Sequence, residues 1–489
     1  MRSLYLLKQC IIFIIIFFLI TGFAFFPKQG DKIPITTSTD QALKLFLKGR
    51  DISERLQIQE SRQYFEKAVQ ADPDFAMAHL FLAFAQPTAQ GFFNHLNKAV
   101  ELSDNASKGE QLWILGIEAG VNGLPMKQRE NYQKLVAAYP NDERAHNLLG
   151  IHYFGQQEWE KAIDSYKKAI EINPDFSQPY NQLGYAYRFL SEYDKAEKVF
   201  QKYIQLIPND PNPYDSYAEL LLKIGKYEKS IENYKKALEI NPNFVASHIG
   251  IATNLNYMDK HEQARQQLQK LAEMARTDGE LRAAHFSMAV SYADAGNLEK
   301  ALSEIKAQYS IAEKTKDAAL KAADLNTMGI ILLHAEKYDK AAEMYKNSVK
   351  LIRASDLSPE VKKNAERIYL ANSARVAIMK NNIESAKTDL EKFHKAVEAV
   401  NNPLQMMLYH ELMGMAEMSE NNFDMAIAEY KKANQQNPYN LYRLAMAYKA
   451  KGNKEMARKY FKKAATFNAL NNLNQCFIRN KAKAMIAEM

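Results

Sequence analysis

Cysteine is nearly missing from this chain: only Cys10 and Cys476 occur, close to opposite ends of 489 residues. That pair offers no disulfide framework and no metal-ligand spacing. Alternating strand patterns are also nearly absent, which argues against a sheet protein. Catalytic signatures are missing too. Gly225-Lys226 lacks the upstream glycine of a phosphate-binding loop. His261-Glu262 and His410-Glu411 have no second histidine four residues after the first, so no zinc-protease helix forms. No Gly-x-Ser-x-Gly elbow occurs. The expectation is a non-enzymatic chain with no cofactor and no metal.

What is present is a period. Leu149-Gly150, Tyr153, Ala162, Tyr166, Ala169 and Pro174 return 34 residues later as Leu183-Gly184, Tyr187, Ala196, Phe200, Tyr203 and Pro208. They return again as Tyr217-Ala218, Leu221, Ser230, Tyr234, Ala237 and Pro242. A fixed period of this length marks stacked helical hairpins, each unable to bury its apolar face alone. In 211–244 one helical stripe carries Tyr214, Tyr217, Ala218, Leu221 and Leu222, and a second carries Tyr227, Ile231, Tyr234, Leu238 and Ile240.

Small residues and turn residues complete the unit. Gly184 and Ala218 sit mid-helix, where glycine costs about 1 kcal/mol against alanine unless it admits a close neighbour. Gly225, Gly296 and Gly452 fall just past the first helix, where a left-handed residue is wanted. Asn381 and Asn421 take the same place. Asn173-Pro174, Asn241-Pro242 and Asn437-Pro438 end the second helix.

These residues, with Glu158-Trp159-Glu160-Lys161-Ala162 and Tyr193-Asp194-Lys195-Ala196, resemble the tetratricopeptide repeat family, in its membrane-associated bacterial form. The resemblance implies an all-α, right-handed α-solenoid of about twelve helical hairpins, the first near 42 and the last near 438, after an N-terminal apolar helix. Gln86-Pro87 interrupts the second repeat. The expected segments are 27–41 as a spacer, 42–278 as a regular array, 279–437 as an irregular array with longer helices, and 438–489 as a basic cap. His79, His146, His248 and His410 fall at the fourth position of their repeats and read as packing residues.

In this family the first helices line a concave groove that takes ligands. The repeat phase places Asn147, Phe154, Asn181, Tyr185, Arg188, Asp215, Glu219 and Asn256 there. Amide side chains at Asn147 and Asn181 can pair an extended peptide backbone, and Phe154 and Tyr185 supply apolar area. The lysine–asparagine clamp that grips chaperone tails is absent: its positions read Asn147/Ile151, Asn181/Tyr185 and Asp215/Glu219.

Residues 11–20 form an unbroken apolar run that continues through Phe23-Ala24-Phe25-Phe26, behind Arg2 and Lys8. The positive flank belongs on the cytosolic side, so the repeats are expected outside the cytosol. Two readings of 1–26 stay open: an uncleaved signal anchor, leaving a membrane-anchored protein with periplasmic repeats, or a signal peptide cut near Ala24, releasing it to the periplasm. Charge gathers at the other end. Residues 438–489 hold eleven Lys and Arg against two acids, so the rest carries about −2 of the total +7. Arg443, Lys449, Lys451, Arg458, Lys459, Lys462 and Lys463 make this basic patch, either a solvated capping face or a dock for an anionic surface. The expected function is a scaffold or adaptor at the membrane that binds protein or peptide partners. The alternative is an extracytoplasmic sensor or signalling module acting through a partner protein. Nucleic acid is not an expected partner, and the sequence leaves the oligomeric state open.

Overall fold

The computed structural model describes residues 32–489 apart from Leu56. The apolar run at 11–26 lies outside the described residues. Among the described residues there are twenty-five α-helices and no strand. They pair in order: α1 (Asp40–Glu54) with α2 (Ile58–Ala71), α3 (Ala76–Phe84) with α4 (Ala89–Leu102), α5 (Lys108–Val121) with α6 (Pro125–Ala138), and α7 (Glu143–Gly155) with α8 (Trp159–Ile172). Next come α9 (Gln178–Phe189) with α10 (Tyr193–Leu206), α11 (Pro211–Lys223) with α12 (Tyr227–Ile240), α13 (Val245–Tyr257) with α14 (His261–Glu273), and α15 (Asp278–Asp294) with α16 (Leu298–Lys314). The last four pairs are α17 (Ala318–His334) with α18 (Tyr338–Ala354), α19 (Pro359–Met379) with α20 (Ile383–Glu398), α21 (Pro403–Ser419) with α22 (Phe423–Lys432), and α23 (Pro438–Ala450) with α24 (Lys454–Ala465). A final helix, α25 (Leu473–Ala487), has no partner of its own. None of these helices is long and apolar enough to cross a membrane.

Six hairpins are held by an aromatic ring seated where its partner helix lacks a side chain. The ring lies sixteen residues after the small residue: Phe65 on Gly49, Tyr132 on Gly116, Tyr166 on Gly150, Phe200 on Gly184, Tyr345 on Gly329 and Tyr430 on Gly414. In the sixth hairpin Ala218 stands in for glycine opposite Tyr234. All seven rings are buried. Ala162, Ala169, Ala196 and Ala237 are fully buried as well, so both helices narrow where they meet.

The turns follow from the same code. Gly225, Gly296 and Gly452 have φ of 78°, 79° and 83°, and Asn381 and Asn421 have 59° and 63°. The fourth-position residues tie the preceding loop. His79, His146 and His248 place Nε2 at 2.9 Å from the carbonyls of Pro73, Pro140 and Pro242. Tyr180 and Tyr214 donate to Pro174 and Pro208 at 3.0 and 3.1 Å in the same way. Histidine and tyrosine alternate there because both carry a donor at the end of a flat ring. A carbonyl only accepts, so those histidine protons sit on Nε2.

The rhythm loosens where the spacing does. Helices α1–α14 run 9–15 residues, and α15–α21 run 16–21. Helix α3, the shortest, stops at Phe84, just before Gln86-Pro87. The stretch read as a spacer is bonded to the array from Ile33 on. The amides of Ile33, Thr36 and Ser38 donate to Asp142, Glu110 and Asp72 at 2.9, 2.9 and 2.6 Å.

The coil also touches itself. The Ala89 amide donates to Asp317 at 2.7 Å, Ser358 donates to Asn122 at 2.9 Å, and Gln57 donates to Asp210 at 2.8 Å. Early hairpins therefore meet hairpins five to seven places further on.

Gly150 and Gly155 share α7 and test the seating rule. A Cβ at Gly150 falls 2.5 Å from the Tyr166 ring, and at Gly155 nothing lies within 4 Å. Gly150→Ala is expected to lower stability by about 1–3 kcal/mol through overpacking. Gly155→Ala is expected to raise it by up to about 1 kcal/mol through helix propensity. Urea unfolding midpoints of the two variants check both signs.

Candidate functional site

The first helices of successive hairpins carry a ladder of polar side chains that bond to one another. Asn147 donates to Gln178 at 2.9 Å, and Asn181 to Asn212 at 3.4 Å. Tyr185 and Arg188 converge on Glu219 at 2.8 and 2.6 Å. Ser247 donates to Asp215 at 2.7 Å, and Ser291 to Asn256 at 2.8 Å. Asn147, Asn181, Arg188, Asp215 and Asn256 are all buried, and Glu219 and Tyr185 are partly buried. Seven of the eight positions expected in the groove thus join one repeat to the next, and the eighth, Phe154, meets the aromatic side chains described below. Burying such groups is tolerable only when they are paired.

Burial also changes their charge. Desolvation pushes the Asp215 carboxyl up to about 7, against the Ser247 hydrogen bond and with help from Glu219. Desolvation brings the Lys223 ammonium down to about 7, helped by Arg188 and opposed by Glu219. Glu219 is matched by Arg188, so the acidic floor expected at Asp215 and Glu219 holds little net charge near neutrality.

Next to this network, Phe154, Trp159 and Phe189 form a half-buried aromatic trio. Trp159 stacks on Phe189 with centroids 4.5 Å apart, and Phe154 stands edge-on to both at 5.1 and 5.5 Å. The Arg188 guanidinium lies 4.9 Å from the Phe189 ring centre. Helices α7 and α9 end here and α8 begins, so the trio sits at the turn edge of the fourth and fifth hairpins.

Further along, the C-terminal segment covers the same edge. Lys223 donates to the Phe467 carbonyl at 2.6 Å and lies 3.4 Å from the centre of that ring. Tyr227 donates to Asn468 at 3.1 Å, Tyr257 donates to the Ala469 carbonyl, and Asn471 donates to Ser287 at 3.0 Å. Helix α25 then packs on α15. Its Arg479 is 2% exposed and forks onto Asp294, with Nε 3.1 Å from Oδ1 and Nη2 2.6 Å from Oδ2. The same guanidinium reaches Asp259 at 3.0 Å and the carbonyls of Asn256 and Tyr257 at 3.3 Å. His261 Nε2 meets Asp294 at 2.9 Å. Asp259, His261 and Asp294 have a metal-like spacing, but Arg479 is the cation bonded to both carboxylates. Phe477 stacks on His334 with centroids 3.7 Å apart. Burial first, then Arg443, Lys481 and Arg375, bring the His334 imidazole down to about 3, so it stays neutral.

The basic patch divides in two. Arg443 pairs with buried Glu411 at 2.9 Å, Lys449 approaches Glu488 at 3.8 Å, and Lys451 pairs with Asp424. Arg458, Lys459, Lys462 and Lys463 remain on the exposed face of α24. Arg479 belongs to the same charge-rich stretch, yet it turns inward. Repeat phase found the ladder but not the reach of residues 466–489. The signals for that segment were an N-cap, Asn472, ahead of Leu473, Cys476, Phe477 and Ile478, and an arginine within this apolar run.

Comparison with known proteins supports the repeats. A TPR repeat family model matches residues 150–188 and 218–252. A tetratricopeptide repeat model matches 177–210 and 438–469. No curated protein matches the chain. Similar solved structures include MamA protein, at 23% identity over 33% of this chain and 89% of that one, with a TM-score of 0.29. Another is MamA 41-end from Desulfovibrio magneticus RS-1, at 18% identity over 34% of this chain and 95% of that one, with a TM-score of 0.30.

The raised Asp215 pKa sets a pH dependence. A carboxyl with a higher pKa folded than unfolded favours folding while protonated, and that contribution is lost as pH rises from about 4 to about 7. Asp215→Asn, which can still accept from Ser247, should match the parent near pH 4 and exceed it above pH 7 by on the order of 2–4 kcal/mol. Chemical unfolding at the two pH values measures the crossover.

Proposed function

We propose that this chain is a non-enzymatic scaffold at the membrane that binds protein partners along the turn edge and inner face of its first helices. Tetratricopeptide repeats generally mediate protein–protein contacts, and the described chain is spent on stacked hairpins. The observation that carries the reading is the aromatic trio Phe154, Trp159 and Phe189. It lies half-buried beside the Arg188–Glu219 pair, in line with the edge that already holds a segment of chain at Lys223 and Tyr257. Aromatic and arginine side chains in part-desolvated positions are the usual energetic centres of protein interfaces. The ladder behind them keeps that surface rigid and limits the ordering cost of binding.

The membrane association and the extracytoplasmic placement of the repeats belong to the same proposal. They rest on the apolar run behind Arg2 and Lys8, whether it is retained as an anchor or cut near Ala24.

Photo-crosslinking residues placed in cells at Phe154 and Phe189 should capture a discrete protein partner. A probe at Lys236, on the exposed face of α12, serves as the control. Equal capture from both faces would overturn the binding edge. N-terminal sequencing of the mature chain, with membrane fractionation, checks the placement. A chain recovered in the cytosol with an intact N-terminus would overturn it.

A further inference from the structure

The C-terminal segment meets the array through two chemically different faces. Towards α23 and α24 it is apolar: Ile478 and Ala482 are fully buried in the core of the last hairpin, and Gln475 donates to the Ala464 carbonyl at 2.9 Å. Towards the sixth to ninth hairpins it adds a polar cluster centred on Arg479, beside Cys476 and Phe477, which belong to one apolar core with Ala289, Val290 and Ala293 of α15. Asp294, at the end of α15, and Asp259 with the Asn256 and Tyr257 carbonyls, at the end of α13, make a set of acceptors from two hairpins, all directed at one guanidinium. The Arg479 ring contact completes the set: its guanidinium lies 5.3 Å from the Tyr257 ring centre. Planar, five-donor recognition of this kind selects arginine over lysine.

Arg479 and Asp294 are buried at the centre of this contact, and its rim is open to solvent. A cavity of about 500 Å³ runs beside α25, lined by His261, Leu298, His334, Phe477 and Lys481. The Asp259 side chain, one of the two carboxylates, is 64% exposed. The connection from α24 to α25 is irregular and bends through Asn468 and Asn471, with φ of 51° and 47°. Solvent reaches the contact through this cavity and the exposed Asp259 carboxylate, and local opening starts from such a rim.

We propose that the face built by Asp294, Asp259, Tyr257 and His334 is a peptide-binding site, that the chain's own Phe477-x-Arg479 occupies it, and that the partner it takes is a peptide of the same chemistry. Such a partner carries an aromatic residue two positions before an arginine. Its arginine replaces Arg479 on Asp294, its ring replaces Phe477 on His334, and the remainder of the peptide enters the adjoining cavity. The last hairpin keeps α25 on its apolar side and swings with it away from α15. The resident segment lowers the apparent affinity for partners by the fraction of time it is seated, so the scaffold binds only ligands that outcompete it. This rests on the scaffold reading above, but the two fail separately. The assay below uses a defined peptide on the pure chain, and partner capture through the aromatic trio is unaffected by its outcome.

The probe is a fluorescent synthetic peptide of residues 466–489, titrated into the full chain and followed by anisotropy. Arg479→Glu repels Asp294 and Asp259 and empties the site, so that variant should bind the peptide at least about tenfold more tightly than the parent. A peptide that itself carries Arg479→Glu should lose about tenfold in affinity for the emptied chain, as should a chain with both Arg479→Glu and Asp294→Asn. Failure of a folded Arg479→Glu chain to bind the peptide, or binding that ignores Asp294, overturns the proposal. The parent protein gives an independent readout if the variant does not fold. Excess unlabelled peptide should speed hydrogen exchange in 473–487 and leave α11 and α12 unchanged. Exchange in 473–487 that ignores the peptide overturns the proposal equally.

Discussion

The array depends on one contact repeated along it: an aromatic ring from the second helix of a hairpin seated against a missing side chain on the first. In six hairpins the ring follows the gap by sixteen residues, and the Tyr234 ring also fills the gap at Gly250 of the next hairpin. Each seated ring removes a large apolar surface from water, worth roughly 1.5–3 kcal/mol, and it fixes how closely the two helices approach. That distance sets the angle at which the next hairpin stacks. The superhelix, the placement of the polar ladder and the meeting of distant hairpins all follow from this local geometry.

Because hairpins contact mainly their neighbours, polar groups on the first helices face the same groups one repeat on. Asn147, Asn181, Asp215 and Asn256 consequently have partners in the next first helix. This is the physical reason that residues expected to meet a ligand are largely engaged with the array. The Arg188–Glu219 pair, the buried Asp215 and the half-buried Lys223 act as rigid spacers. The surface that stays open is the turn edge, where Phe154, Trp159 and Phe189 gather because three helix ends converge there.

Both ends of the described chain lie on the array. Residues 33–38 donate backbone amides to Asp142, Glu110 and Asp72. Residues 467–480 run over Lys223, Tyr257 and Asp294. The array thus shows two ways of holding its own chain: carboxylates that take the amides of an extended segment, and a carboxylate pair that takes the arginine of a helix. Glu110, Asp142 and Asp294 stand in the terminal turns of first helices or cap them, and Asp72 caps the end of the second helix α2.

The sequence by itself determined the hairpins. Its period placed both helices of each repeat, the left-handed glycines and asparagines at the turns, and the small residues under the rings. Local rules suffice there, because each unit is specified within a window of 34 residues. The helices from Asp278 to Ser419 are longer, and there the buried alanines Ala301, Ala341, Ala386 and Ala426 lie more than 34 residues apart. Only the tertiary structure decided which groove residues are consumed by neighbours, that Phe154 has Trp159 and Phe189 beside it, and that Arg479 reaches Asp294 across 185 positions of the chain. Those outcomes depend on how many small hairpin rotations accumulate before the coil meets itself. No window of sequence contains that sum.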